Sequence, residues 1–226
     1  MNICLIPARS GSKRIKNKNI KNFFGKPIIS YAIKTAINSK LFDKIFVSTD
    51  SEKIANISKK NGAEVPLIRP KSISNDYASD KDVIDHFLKY ASKNKININY
   101  LCYIYPINPL IKISTLKKCK SLLINSNCKK VITVGKFSYP IQRALVEDSN
   151  KAIKFREIKN KKKRSQELKT FFHDAGQCYW FNLKKDKKIK NITKAVILKQ
   201  FEFLDVDTLE DFNNLEKIYK FNLHKS

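Results

Sequence analysis

A short apolar run, Ile3–Ala8, stops at a polar, Gly-containing stretch, Arg9–Asn19. Such a run, bounded by a loop, predicts a buried strand. After Pro27, apolar side chains return at Ile28, Ile29, Ala32, Ile33, Ala36 and Ile37, the spacing of one helical face, and proline suits a first turn. Lys44–Thr49 is β-branched and aromatic, hence a strand; Asp50 or Ser51 can cap a helix carrying Ile54 and Ile57 that ends near Gly62. Ala63–Leu67 predicts a further strand. Ser79 followed by Asp82 has the form of an N-cap with an acidic partner, ahead of the stripe Val83, Ile84, Phe87, Leu88 and Ala91. Tyr100–Tyr105 is almost wholly apolar and predicts a central strand. Ser114 predicts the cap of a helix reaching about Ile124, and Lys130–Val134 and Gln177–Asn182 predict strands. Thr208–Tyr219 places Leu209, Phe212, Leu215, Ile218 and Tyr219 on one helical face, and the last few residues are expected to fray.

Strand and helix alternating in this way define an α/β protein with a mostly parallel central sheet and right-handed crossovers. The rhythm breaks at Phe137–His173, which is basic and lacks a helical stripe, although Ala152–Phe155 is β-like. The expected division is therefore an α/β core over residues 1–136, an inserted arm over 137–173, and a return to the core over 174–226.

At 42% hydrophobic the chain can build a real core, and five Gly with seven Pro exclude collagen-like and Pro/Gly-rich disordered classes. No stretch approaches the roughly 18–20 apolar residues of a membrane span, and the N-terminal run is too short for a signal peptide. The five cysteines are odd in number and include no C-x-x-C, so they read as reduced thiols of a cytoplasmic protein. The net charge is +26, which raises a basic nucleic-acid-binding protein as the alternative of a different class. Only six of the 46 cations are Arg, however, and the Lys are spread along the chain. That distribution favours neither nucleic acid nor membrane as a partner, and the positive field equally steers a small anionic substrate.

Four stretches carry candidate chemistry. Ala8-Arg9-Ser10-Gly11-Ser12-Lys13-Arg14-Ile15-Lys16-Asn17-Lys18-Asn19 follows the first strand, where small residues let backbone N–H groups approach phosphate oxygens and Arg and Lys neutralise charge. It has neither Walker A spacing nor a dinucleotide fingerprint. Asp205-Val206-Asp207 places two carboxylates on one face if extended, a pair that calls for a cation such as Mg²⁺; the alternative is that Asp207 caps the last helix. Arg69-Pro70 through Asp80 leads into a helix N-terminus, where free N–H groups can read an anion or a base edge. His173-Asp174-Ala175-Gly176-Gln177-Cys178-Tyr179-Trp180 suits a polyhydroxylated ligand, and without a G-x-S-x-G elbow it supports no hydrolase triad.

Together these stretches resemble the CMP-sugar synthetases for nonulosonic acids, within the CMP-sialic acid synthetase family of nucleotidyltransferases, over almost the whole chain. Ala8–Asn19 carries the superfamily motif. Ser138-Tyr139-Pro140-Ile141-Gln142-Arg143-Ala144-Leu145, Arg164-Ser165-Gln166-Glu167-Leu168 and His173–Trp180 point to the pseudaminic acid branch. The resemblance implies a Rossmann-like three-layer fold and a CTP-dependent, Mg²⁺-dependent transfer giving CMP-sugar and pyrophosphate, for glycosylation of surface structures such as flagellin or polysaccharide. It implies CTP binding by Ala8, Arg9, Ser10, Gly11, Ser12, Lys13 and Lys18, with Arg9, Lys18 and Asp207 catalytic, and Arg69, Ala78 and Ser79 around cytosine and ribose. It implies Mg²⁺ on Asp205 and Asp207, and sugar contacts from Asn108, Gln177, Arg143 and Arg164. The last two would reach a neighbouring site through an arm exchanged in a homodimer. Tyr105-Pro106-Ile107-Asn108-Pro109 departs from the Gln-Pro-x-Ser-Pro of the sialic acid enzymes and implies a different sugar. The sibling activities, on N-acetylneuraminate, legionaminate or Kdo, are the alternatives.

Overall fold

In strand β1 (Asn2–Pro7) the side chains bury themselves alternately: Ile3 and Leu5 join one apolar cluster, Cys4 and Ile6 another. A strand covered on both faces needs an element packed on each, and the rest of the chain supplies them. This computed structural model describes residues 1–223; the fraying expected at the last few residues falls on 224–226, outside the described residues. After β1 come a two-stranded antiparallel ribbon, β2 (Asn22–Phe23) and β3 (Lys26–Pro27), then α1 (Ile29–Ser39), β4 (Lys44–Ser48), α2 (Glu52–Lys60), α3 (Asp80–Lys93), β5 (Tyr100–Ile104), α4 (Ile113–Asn125) and β6 (Cys128–Lys136). A second ribbon, β7 (Leu145–Glu147) and β8 (Ile153–Phe155), precedes β9 (Phe172–Asn182), β10 (Lys190–Leu198) and α5 (Leu209–Leu223).

The six long strands form one sheet in the order β10-β6-β9-β5-β1-β4. Only β9 runs against its neighbours, so the sheet is mostly parallel, as the alternation of elements predicts. Ile29, Ala32, Ile33 and Ala36 of α1 and Leu116, Cys119 and Leu123 of α4 cover one face. Val83, Phe87 and Ala91 of α3 cover the other. A third cluster, with Ile15, Phe23, Ile28, Val206, Phe212 and Leu215, seats α5 against the loop after β1. All five cysteines are free and buried.

Local signals decide most boundaries. The Ser51 side chain accepts from the Ile54 N–H at the start of α2, and Ser79 with Asp82 forms the expected capping box on α3. Three expectations fail. Ala63–Leu67 is no strand: it makes isolated bridges, Phe46–Glu64 beside Thr49–Ile68, because Pro66 has no N–H for a ladder. The helix expected from Ser114 starts earlier, with Lys112 as N-cap and no side-chain cap. Asp205–Asp207 is not extended sheet but an irregular segment, since β10 takes the sheet edge beside β6. Periodicity missed β10 because it is a Lys-rich edge strand with Ile192 and Ile197 exposed, a composition that protects an edge and blurs alternation. The 137–171 connection carries the β7–β8 ribbon and several 3₁₀ turns, with Leu145, Ile153 and Ile158 exposed.

Gly135 in β6 is required by a close approach: a Cβ there would lie 2.8 and 2.9 Å from the Cε atoms of Phe203, which leads into the acidic segment. Gly135→Ala should displace that ring and lower stability by about 1–3 kcal/mol, read as a reduced urea midpoint at unchanged m-value.

Candidate active site

The loop after β1 is fastened at both ends. The Ser10 N–H and hydroxyl donate to the Asp50 carboxylate at 2.7 and 2.8 Å, tying the loop to the end of β4. The buried Asn19 donates its amide to the Arg9 carbonyl at 2.8 Å, and Asn17 turns the chain with φ 54°, a left-handed conformation that Asn tolerates. Between these ties Ile15 is buried against the α5 cluster. The apolar anchor leaves Arg14 and Lys18 facing the acidic segment. Arg14 lies 2.8 Å from one oxygen of Asp207 and Lys18 lies 3.6 Å from the other. Lys18 also donates to the Val206 carbonyl.

The capping of α5 explains why Asp207 is available. Thr208 and Asp211 cap that helix reciprocally: the Thr208 N–H and hydroxyl each donate to Asp211 at 2.8 Å, and the Asp211 N–H donates back at 3.1 Å. Hydrogen bonds from Thr208 hold the Asp211 carboxyl below the usual range. Asp207 therefore does not serve as the cap, and its carboxylate stays with the cations.

The 69–80 segment forms the opposite lip. Arg69 is buried, with its N–H on the Thr49 carbonyl at 2.7 Å and its Nε on Ser74 at 3.0 Å. Burial lowers its pKa, as does neighbouring Arg9, against the opposing effect of Asp50 and Tyr103. Asp76 pairs with both Arg9 and Lys13 at 2.7 Å. Asn75 accepts from the Tyr77 and Ala78 N–H groups, and Ser79 is engaged in its cap.

Between the lips a cleft of about 520 Å³ opens at the carboxyl end of the parallel strands. Arg9, Ser12, Lys13, Lys18, Arg69, Ala78, Asp205 and Asp207 all line it. The other predicted residues stand elsewhere. Ala8 is core; Ser10, Gly11 and Ser79 lie off the wall. Asn108 and Gln177 are buried behind it, Asn108 donating to the Gln177 carbonyl at 3.1 Å and Gln177 to the Glu202 carbonyl at 2.6 Å. Arg143 packs on Tyr139 and Arg164 opens a 3₁₀ turn, both on the 137–171 connection away from the cleft. Sequence reasoning offered Asp50 only as a helix cap, and gave Asp76, Asp80 and the tyrosines of the far wall no individual partners. There Tyr103 donates to Asp80 at 2.7 Å, Tyr105 donates to the same carboxylate, and Tyr179 donates to Asp174 at 2.6 Å. The i, i+2 spacing of Tyr103 and Tyr105 running out of a buried strand is the signal that could have found them.

Asp205 and Asp207 offer only oxygen donors on one wall, beside the cations that would hold phosphates. That set fits a hard divalent ion completing its shell with water and phosphate oxygens, although among the described residues no three His, Cys, Asp or Glu cluster as a full metal cage.

A cationic loop after the first strand stands beside an acidic pair on one wall of a cleft, in a chain whose relatives are nucleotidyltransferases. A family model described as cytidylyltransferase matches residues 3–223, and the chain belongs to that family. It is 36% identical, over all of its length and 98% of the relative's, to a pseudaminic acid cytidylyltransferase of Campylobacter jejuni. It is 28% identical to a CMP-N,N'-diacetyllegionaminic acid synthase of Legionella pneumophila, over 97% of each. Its fold matches a solved CMP:2-keto-3-deoxy-manno-octonic acid synthetase complexed with CTP at TM-score 0.69, over 98% of this chain and 99% of that one, at 16% identity.

Hydrogen bonds from Lys13 and Arg9 hold the Asp76 carboxyl below its usual range. A depressed pKa makes the contact complete above the unfolded value and lost as pH falls through the folded one. The lips should stay linked through Asp76 at neutral pH and separate only below about pH 3.9. The Asp76 side-chain carboxyl carbon, followed by NMR during acid titration, should give a midpoint under that value; a midpoint at or above it would disprove the link.

Proposed function

We propose that this chain activates pseudaminic acid, a nine-carbon 2-keto sugar acid, with CTP, giving the CMP-sugar and pyrophosphate. The observation that carries the reading is the meeting of Lys18 and Asp207, 3.6 Å apart on one wall of the cleft although they come from opposite ends of the chain. The full-length identity to a pseudaminic acid cytidylyltransferase supports the choice of sugar.

In this reading Arg9, Ser12, Lys13 and Lys18 hold the triphosphate, and the backbone of Ser10 and Gly11 shapes the loop around it. Arg69, Ala78 and Ser79 flank the nucleoside, Ser79 through the helix start it caps. Asp205 and Asp207 hold Mg²⁺, which when bound neutralises phosphate charge. The sugar's anomeric 2-hydroxyl attacks the α-phosphorus in line. The new P–O bond forms as the bond to pyrophosphate breaks, and the hydroxyl proton passes to solvent. Negative charge spreads over the phosphoryl oxygens, and Lys18 and Arg9 stand where they can stabilise it. Most of the acceleration is positioning. Asn108 and Gln177, turned inward, support the sugar side by fixing the backbone next to Gly176. Arg143 and Arg164 serve a neighbouring site in a homodimer, for which the exposed apolar residues of the β7–β8 ribbon provide contact surface. Five free thiols suit a cytoplasmic setting, and among the described residues no helix is long and apolar enough to cross a membrane.

Purified protein with CTP, Mg²⁺ and pseudaminic acid should release pyrophosphate; release only with N-acetylneuraminate, legionaminate or Kdo would reassign the sugar. Asp205→Ala and Asp207→Ala should each lose metal-dependent turnover by at least about a hundredfold while keeping the circular dichroism spectrum. Arg164→Ala should raise the KM for the sugar more than that for CTP, and equal effects would refute the cross-subunit role.

A further inference from the structure

The wall opposite the cations has an unusual proton inventory. Carboxylates carry no proton to give, so each phenol that meets one must be the donor. Tyr103 and Tyr105 both donate to Asp80, one to each oxygen. Tyr179 donates to Asp174, whose other oxygen accepts from the Gly176 N–H at 2.8 Å. Burial raises the pKa of all three phenols, with the carboxylates adding to it, so the hydroxyls keep their protons at physiological pH.

Tyr105 and Tyr179 then face each other with their protons already committed. Their oxygens are 3.5 Å apart, beyond the 2.5–3.0 Å of an O–H···O bond. The rings cannot swivel freely to improve this. Tyr105 packs edge-on against Tyr179 and Tyr103, at 5.6 and 5.5 Å between centroids. Lys130 lies over the Tyr179 ring face, 4.7 Å from its centroid. Tyr105 and Tyr179 are partly exposed on the cleft wall, which the buried Tyr103 and the carboxylates of Asp80 and Asp174 also line. What these two side chains present to the cleft is a pair of lone-pair-bearing oxygens, their protons held by two carboxylates that share the wall.

Such a wall accepts hydrogen bonds and repels anions. An amide N–H can only donate, a hydroxyl can donate or accept, and a carboxylate or phosphate can only accept. A substrate carrying both an acid group and N–H donors therefore has one favourable orientation in this cleft. We propose that Tyr105 and Tyr179 are the specificity-determining pair for the acceptor substrate, jointly taking an N–H of an N-acylamino group on the sugar acid. Asp80 and Asp174 are the positioning residues that turn the phenol protons away. The acid group is thereby directed to the cationic end, which brings the anomeric hydroxyl toward the triphosphate. This rests on the reading that the cleft activates a sugar acid.

The test is steady-state pyrophosphate release with pseudaminic acid, which carries two N-acylamino groups, for the wild type, Tyr105→Phe, Tyr179→Phe, the double variant and Asp80→Asn. Phenylalanine keeps the ring packing and removes only the oxygen. Each single Phe variant should raise the sugar KM about tenfold and leave the CTP KM within about twofold. The double variant should be clearly worse than either single, because each single leaves one oxygen to take the shared N–H and the double leaves that N–H unpaired. Asp80→Asn, which offers an N–H to one phenol oxygen and frees that phenol's proton toward the cleft, should raise the sugar KM in the same way. If both Phe variants keep the wild-type sugar KM, or if the CTP KM rises in step with it, the inference is overturned and the reading of the cleft stands. If the wild type releases pyrophosphate with no 2-keto sugar acid, that reading falls and takes this inference with it.

Discussion

One ion-paired junction organises this molecule: the Arg14 and Lys18 side chains on the Asp207 carboxylate. Five cations, Arg9, Lys13, Arg14, Lys16 and Lys18, are crowded into a single loop, and their mutual repulsion opposes its closure. The structure sets an anion against each part of that loop. Asp50 takes its backbone, Asp76 its outer cations and Asp207 its inner ones. Asp207 and Arg14 are substantially solvent-exposed and Lys18 is partly so, and such pairs contribute only about 0–1 kcal/mol each to stability. Their importance is geometric. The apolar burial of Ile15, Val206 and Phe212 in one cluster closes the chain, and the ion pairs then fix which charged atoms point into the cleft.

From that junction the cleft acquires its polarity. Cations from the loop after β1 stand on one side, and tyrosines with their carboxylates stand on the other. The parallel strands between them end where both sets of side chains can converge, as open α/β sheets require of a binding crevice. β9 is the exception that completes it. Running antiparallel between β5 and β6, it brings its amino-terminal half to the carboxyl end of β5. Asp174 and Tyr179 thereby meet Tyr105, which a parallel strand in that position would have carried away.

Much of this was legible from residues alone, for identifiable reasons. β1, β4 and β5 are apolar on both faces, and the helices of the first two-thirds carry clean stripes, so period and composition agree there. The cationic loop on the cleft was legible because small and cationic residues follow a buried strand. The Asp205–Asp207 pair was placed rightly on the cleft but for an incomplete reason, since the segment is irregular and Thr208 with Asp211 relieves Asp207 of the capping duty. What periodicity could not show is pairing across long separations. Asp76 reads locally as part of a polar turn, and Asp80 as the first residue of a helix. Their partners, Arg9, Lys13, Tyr103 and Tyr105, are supplied only by tertiary structure. The inward turn of Asn108 and Gln177 is hidden for the same reason, because their acceptors are backbone carbonyls of other segments.

The overall charge of +26 acts on a different scale from these contacts. At physiological ionic strength a field decays over about 8 Å, so Lys scattered over the surface guide an anion to the molecule without deciding where it binds. The cleft cations, by contrast, are largely engaged by Asp76 and Asp207. In the proposed function, an incoming triphosphate would displace Asp76 from Arg9 and Lys13, exchanging one carboxylate for several phosphate oxygens on the same donors. The exchange is favoured because the triphosphate carries more charge than the carboxylate it replaces. The surface charge thus sets how often an anion arrives, and the paired cations set which anion can open the site.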